Sequence, residues 1–149
     1  MKTSKIKVFT IALIMITIFA ALLHLNTRKV VAEGTIQISV GGKTVTVDIS
    51  KLDYVQITGT RVNGKGEERP VNAPGIALKD LFSGQKIQNC TKVVVVSDDS
   101  YRAELTAEEV ADGSKAFLIV EEENELRLVV FGDTNSKRSV SNVAQIVVE

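Results

Sequence analysis

Residues 36–49 alternate apolar and polar side chains twice around a Gly-Gly pair, and few folds accept that pattern. Ile36, Ile38 and Val40 are separated by Gln37 and Ser39, and Val45, Val47 and Ile49 by Thr46 and Asp48. A period of two sends alternate side chains to opposite faces of an extended chain, so each run predicts a half-buried strand. Gly41-Gly42 suits a two-residue turn, and the pair reads as a β-hairpin. Ser50 to Asp53 is then a short turn or a single helical turn.

The same reading carries along the chain. Residues 54–62 predict a strand with Val55 and Ile57 on one face, closed by the turn Asn63-Gly64-Lys65-Gly66. Residues 67–73 read as polar and irregular. Pro74-Gly75 is expected to open a short helix with Leu78, Leu81 and Phe82 on one face, ended by Gly84. Residues 92–96 are apolar on both sides and predict a central buried strand. Asp98-Asp99-Ser100 predicts a turn, and Tyr101, Ala103 and Leu105 alternate with Arg102 and Glu104. Thr106-Ala107-Glu108-Glu109 has the form of a capping box, starting a short helix that Gly113 stops. Ala116–Val120 and residues 126–131 predict strands joined by an acidic turn, and Val143–Val148 a last strand. The expected architecture is α+β and mostly β, with about eight strands and two or three short helices.

The beginning of the chain is different. Three lysines precede an apolar run over residues 8–25, with His24 near its far end. Eighteen residues of helix span about 27 Å, close to the hydrocarbon thickness of a bilayer. Two fates fit. One is an uncleaved transmembrane anchor with its lysines inside. The other is a signal segment cleaved after Ala32, where Val30-Val31-Ala32 offers small residues. The length of the run and the presence of Arg28 and Lys29 favour the anchor. Either fate puts residues 33–149 on the extracytoplasmic side, as a domain distinct from residues 1–32.

Charge and composition exclude several functions. The chain is neutral overall, with 18 basic and 18 acidic residues. Five of the basic residues and none of the acidic ones lie in residues 1–32, so the remainder has 13 against 18, a balance of −5. An acidic domain lacks the concentrated basic footprint that nucleic acid requires. The single histidine lies in the apolar run, so residues 33–149 hold no Ser-His-Asp or Cys-His constellation and no histidine metal ligand. Cys90 is alone, which excludes an internal disulfide and a CxxC metal site, and reads as a half-buried small hydrophobe. Glu121-Glu122-Glu123-Asn124-Glu125 reads as a solvated turn, and the glycine pairs at Gly41-Gly42 and Gly64-Lys65-Gly66 as hairpin tips. No catalytic residue and no metal ligand is indicated.

The side chains suited to grip an anion are the arginines: Arg61, Arg69, Arg102, Arg127 and Arg138. Arg102 and Arg127 alternate with apolar neighbours and read as outward-facing strand residues. Arg61 and Arg138 lie near loops, where ligand contacts concentrate, with Lys137 beside the latter.

Four pieces recur in an order known elsewhere. Residues 75–82 read GIALKDLF; Val93 to Ser97 is followed by Asp98-Asp99-Ser100-Tyr101; residues 126–130 read LRLVV; and Lys137-Arg138 precedes Val140 and Ile146-Val147-Val148. Together, over roughly residues 54–148, they resemble the small molybdopterin-binding domain of the sulfite oxidase family. The resemblance implies that family's fold and a pterin ligand. It places Gln56-Ile57-Thr58-Gly59-Thr60-Arg61 on the family's cofactor loop, which implies cofactor-binding roles for Thr60 and Arg61, with Lys137 and Arg138 in the closing segment. The family's metal-binding cysteine falls on Ile57, which has no donor atom to offer. The tryptophans of its closing segment fall on Ser139 and Asn142, and its turn before the Leu-Arg-Leu strand is replaced by Glu123-Asn124-Glu125. The implied protein is a non-catalytic domain that binds molybdopterin, another pterin without metal, or another small anionic ligand. The alternatives are a structural or interaction domain for a membrane-protein partner, and an active molybdopterin-dependent oxidoreductase with altered metal ligation.

Overall fold

The predicted hairpin forms through its whole length. In the computed structural model, which describes residues 14–17, 34–122 and 125–149, β1 (Thr35–Val40) and β2 (Lys43–Asp48) pair antiparallel from Thr35 opposite Asp48 to Val40 opposite Lys43. Gly41 and Gly42 both turn at positive φ, 54° and 82°, as the tight turn between twisted strands demands. A single 3-10 turn follows at Ile49–Lys51, where the Asp48 side chain accepts a hydrogen bond from the Ser50 N–H. A hydrogen bond from the Ser50 hydroxyl, the neighbouring Lys51 and that backbone bond hold the Asp48 carboxyl below its ordinary value.

Next, β3 (Val55–Val62) and β4 (Glu68–Ala77) form a second antiparallel pair, with Val62 opposite Glu68 and Val55 opposite Gly75. The turn between them is tied by the Asn63 side chain, whose Oδ1 accepts from the N–H groups of Lys65 and Glu67. This corrects two sequence expectations. Residues 68–73 are strand rather than irregular, and Pro74-Gly75 belongs to that strand rather than to a helix. Proline is tolerated because β4 pairs with its other neighbour only over Gly75–Ala77, so Pro70 and Pro74 lie where that flank has no ladder. The helix α1 begins later, at Leu78–Gly84, and buries Leu78, Leu81 and Phe82 as its spacing predicts.

The remaining elements follow the alternation. They are β5 (Lys92–Ser97), β6 (Arg102–Thr106), α2 (Ala107–Ala111), β7 (Ala116–Val120), β8 (Leu126–Val130) and β9 (Val143–Val148). The capping box is complete. The Thr106 side chain accepts from the Glu109 N–H, and the Glu109 carboxylate accepts from the Thr106 N–H. The described residues thus form a mostly β, α+β domain with nine strands against an expected eight or so.

The strands make two sheets, in the orders β2-β1-β9-β5-β6 and β3-β4-β7-β8. All pairings are antiparallel except β1 with β9, which is parallel. The main core draws on both sheets and both helices: Ile36, Ile38, Leu78, Leu81, Val93, Leu105, Leu118, Leu128 and Ile146 are among its members. A second, smaller core lies on the other face of the four-stranded sheet, made of Ile57, Val71, Ala77, Phe117, Ile119 and Val129, with Ala73 and Phe131 against it. Alternation explains the division. In β7, Ala116 and Leu118 face the main core while Phe117 and Ile119 face the second. The Phe131 ring, one residue past β8, lies so close over β3 that a Cβ on Gly59 would stand 2.6 Å from it. The sheet is therefore curled enough to bring its first and last strands together on that face.

Two valines depart from the expected pattern. Val45 and Val55 share faces with the buried Val47 and Ile57, yet they are 54% and 60% exposed. Both sit on edge strands, beyond the reach of the core.

The expected membrane or signal segment over residues 1–32 lies outside the described residues except for Ile14 to Thr17, which are helical and exposed. No helix among the described residues is long and apolar enough to cross a membrane. Contacts within the chain fall into two units, Met1–Val30 and Val31–Glu149.

Candidate ligand cleft

The β4–β7 ladder ends at Gly75, directly after Pro74, which has no N–H to donate. Upstream of that point a cleft of about 460 Å³ opens between the two strands. Its walls include Arg61, Val71, Asn72, Ile119, Glu121 and Glu122. The Asn72 carboxamide is fixed from outside by Gln56, whose Nε2 donates to Oδ1 at 2.7 Å.

The charges of the cleft are shared unequally. Glu121 Oε1 lies 2.6 Å from Arg127 Nε but 3.6 Å from Arg61 Nη2. Arg127 is further anchored by its Nη1, which donates to Ser139 Oγ at 3.1 Å. Arg127 is therefore the nearer partner of Glu121 and Arg61 the more distant one; the buried Arg127 Nε makes no hydrogen bond among the described residues, so its contact with Glu121 is an ion pair off the N–H axis. The expectation that Arg127 points outward is corrected here: its side chain is only 19% exposed and lies against Glu121. Glu121, read from sequence as part of a solvated turn, joins both arginines. No local signal in the sequence distinguishes it from the other glutamates around it.

The four residues expected to bind a ligand form two separate pairs. Thr60 and Arg61 are neighbours on β3, but only Arg61 lines the cleft, because Thr60 points to the opposite face. Lys137 and Arg138 lie in the β8–β9 loop. Among the described residues no hydrogen bond or ion pair connects the two pairs. Lys137 is exposed, its N–H donates to Asn135 Oδ1, and its carbonyl accepts from the Tyr101 hydroxyl at 2.7 Å.

Arg138 is already occupied. Its Nε donates to Asp133 Oδ2 at 2.9 Å and its Nη2 to Asp133 Oδ1. Its Nη1 donates to both Glu109 oxygens, at 2.7 and 2.8 Å. The guanidinium thus clamps the first turn of α2 to the β8–β9 loop and has no fork left for a ligand. The other arginines contribute nothing to the cleft: Arg69 pairs with Glu67 in solvent, and Arg102 is exposed on β6.

This clamp carries a pH dependence. Burial alone would raise the Glu109 carboxyl. Its hydrogen bonds from the Thr106 N–H and Arg138, with the charge of Arg138, outweigh that and hold it below its ordinary 4.5. A depressed carboxyl contributes stability that is present above its unfolded pKa and lost as pH falls through the folded one. Arg138→Met is expected to cost about 1.5–3 kcal/mol at pH 7. The gap to wild type is expected to narrow as pH drops below 4.5, where the interaction with Glu109 is lost in the wild type as well. Urea unfolding at pH 7 and at pH 3 measures both, and a gap that does not change with pH would refute the assignment to Glu109.

Two further positions bear on chemistry. Cys90 is half-buried and packs against the main core, as expected. Ile57 is a member of the second core and only 6% exposed. Among the described residues no group of histidine, cysteine, aspartate and glutamate side chains could hold a metal ion.

Fold and cleft together define a mixed, predominantly β two-sheet domain with one loosely held arginine on a cleft wall. No protein-family model matches the chain, and no curated protein matches it in sequence.

Proposed function

We propose that residues 33–149 form a non-catalytic ligand-binding domain resembling the sulfite oxidase-type molybdopterin-binding domain, held on the extracytoplasmic side of a membrane by the apolar segment at residues 8–25. The ligand is a pterin-like heterocycle carrying an anionic group. The observation that carries this reading is the unequal sharing of Glu121. An incoming anion recruits Arg61 from a 3.6 Å contact while Glu121 keeps its 2.6 Å partner Arg127, so binding leaves no carboxylate unpaired. A pterin edge is rich in N–H donors, which suits the acidic wall of Glu121 and Glu122, and the volume of about 460 Å³ is in the range of small-molecule sites.

The non-catalytic part of the proposal rests on Ile57. Where the resembled family places a thiolate ligand, this chain has an aliphatic side chain packed between Val71, Phe117 and their neighbours. Ligand binding therefore centres on Arg61, and Arg138 is assigned a structural role.

The test is titration of the full-length protein in nanodiscs with a pterin monophosphate, followed by pterin fluorescence. Saturable binding is expected, weakened about tenfold or more by Arg61→Ala, the loss expected when a charge-assisted contact is removed. The same substitution is expected to change stability by less than about 1 kcal/mol, since the Arg61–Glu121 pair is loose and partly solvated. Absence of a saturable signal in the wild type would sink the proposal and leave the interaction-domain alternative, which crosslinking in native membranes addresses.

A further inference from the structure

A second cavity, of about 390 Å³, belongs to the five-stranded sheet and the loop after α1, and shares no residue with the Arg61 cleft. Its walls include Ile38, Val40 and Val45 of the hairpin and Ile87 of the loop. Ile38 stands opposite Val45, and Val40 opposite Lys43, so these four share one face of the hairpin. Further from the turn the same face holds Ile36 and Val47, which are buried. Toward the turn the core ends, and the apolar strip continues into solvent at Val45.

The rim is cationic. Lys43 and Lys86 both line the groove, flanked by Gln85 and Gln88. Neither lysine has a carboxylate partner among the described residues, whose ion pairs use Lys51, Lys92 and arginines instead. Two unpaired cations beside an apolar strip stand out on a domain whose balance over residues 33–149 is −5. Lys86 and Asn89, in the loop that forms the far wall, are held at φ of 56° and 60°. At Lys86 this is the left-handed residue that ends α1: the Ile87 N–H bonds to the Phe82 carbonyl and the Lys86 N–H to that of Ser83, which fixes this wall of the groove.

We propose that this groove binds a single-chain anionic amphiphile, a fatty-acid-like carboxylate. The tail lies along Ile38, Val40, Val45 and Ile87, and the headgroup is held between Lys43 and Lys86. Strand addition by a peptide is disfavoured, because the groove is floored by side chains on the hairpin face and not by the free backbone of the β2 edge. Two cations lining the groove, one on each wall and neither with a carboxylate partner among the described residues, suit a single compact anion.

The full-length protein, labelled at valine and isoleucine methyls and reconstituted in phosphatidylcholine nanodiscs, is titrated with decanoate and followed by NMR. Saturable shifts are expected at Val40, Val45 and Ile87, with Val71 and Val129 of the second core unmoved. Decanol, and decanoate with the double variant Lys43→Glu/Lys86→Glu, are each expected to bind about tenfold more weakly or worse. The substituted lysines project from the surface, so an unchanged core spectrum verifies that the variant is folded. Three results would overturn the proposal: no saturable shift at the groove methyls, equal binding of decanol and decanoate, or the same shifts on nanodiscs containing phosphatidylglycerol without decanoate, which would mean contact with a membrane surface. Arg61→Ala is expected to leave the decanoate shifts intact, so this site and the pterin cleft stand or fall separately.

Discussion

Gly75→Ala is expected to destabilise the domain by about 3 kcal/mol, at the upper end of what overpacking a close-packed interior costs. Gly75 is the first residue of β4 to have strands on both sides, Val55 of β3 and Ile119 of β7. A Cβ built there stands 2.7 Å from the Leu118 carbonyl oxygen, 2.9 Å from Ile57 Cγ1 and 3.1 Å from Ile119 Cγ2. The isoleucine carbons can shift by small rotations. The Leu118 carbonyl is fixed by its strand, so β4 and β7 must separate and the ladder that closes the foot of the cleft must loosen. Gly64→Ala is the control: its Cβ meets nothing within 4 Å, and a change within about 0.5 kcal/mol is expected. Urea unfolding of both variants measures the difference. A Gly75→Ala variant as stable as the control would mean that β4 and β7 do not approach this closely.

Ile57→Ala is expected to cost about 2–4 kcal/mol, from lost transfer energy and the cavity left behind. The loss is large for an edge strand because β3 is covered: the curl of the sheet puts Ile57 against Val71, Phe117, Ile119 and Val129. A companion variant examines the chemistry. Ile57→Cys, made with Cys90→Ala, places a thiol where the resembled family has its metal ligand. Burial in an apolar cluster disfavours the thiolate, which is the form that binds metal and reacts. Native protein is expected to resist maleimide and to carry no molybdenum from a cofactor-producing host, while denatured protein reacts at once. Rapid labelling in the native state, or metal at stoichiometric level, would show position 57 to be an open coordination site and overturn the non-catalytic reading.

Strands were legible where burial is one-sided and turn residues are conventional. The hairpin around Gly41-Gly42, the capping box at Thr106–Glu109 and the one apolar face of α1 follow from spacing, and β5 from its unbroken apolar run. β4 was not legible, since two prolines and a charged start hide a strand in which few of the first residues are buried. The turn at Asn63 to Gly66 does contain the information, because a tight turn after one strand implies a partner strand on its far side. The cleft was half legible. Arg61 could be singled out from its place near a loop, but its looseness depends on Arg127, and Arg127 meets Glu121 only through the fold. The ion pairs of Arg138 were hidden for the same reason. Its partners, Asp133 and Glu109, are 5 and 29 positions away, and the second of these is brought close only when α2 docks beside the loop. Charge complementarity between distant segments has no period, so no reading of spacing reveals it.

The parallel contact between the first and last strands has a consequence for biosynthesis. β9 is wedged between β1 and β5, and the bond from Gln145 to Ser39 joins residues 106 positions apart. A nascent chain emerging in order from a ribosome, or threading a secretion channel, can form the first hairpin early but cannot join it to β5 until Val143–Val148 is free. Loop closure of that length must precede the contacts that reward it, so completion of the five-stranded sheet comes late and slowly. Until residues 143–148 have been made the five-stranded sheet stays in two pieces, and a ribosome that stalls shortly before β9 leaves a product whose β1 and β5 edges stand open for chaperones and proteases to find.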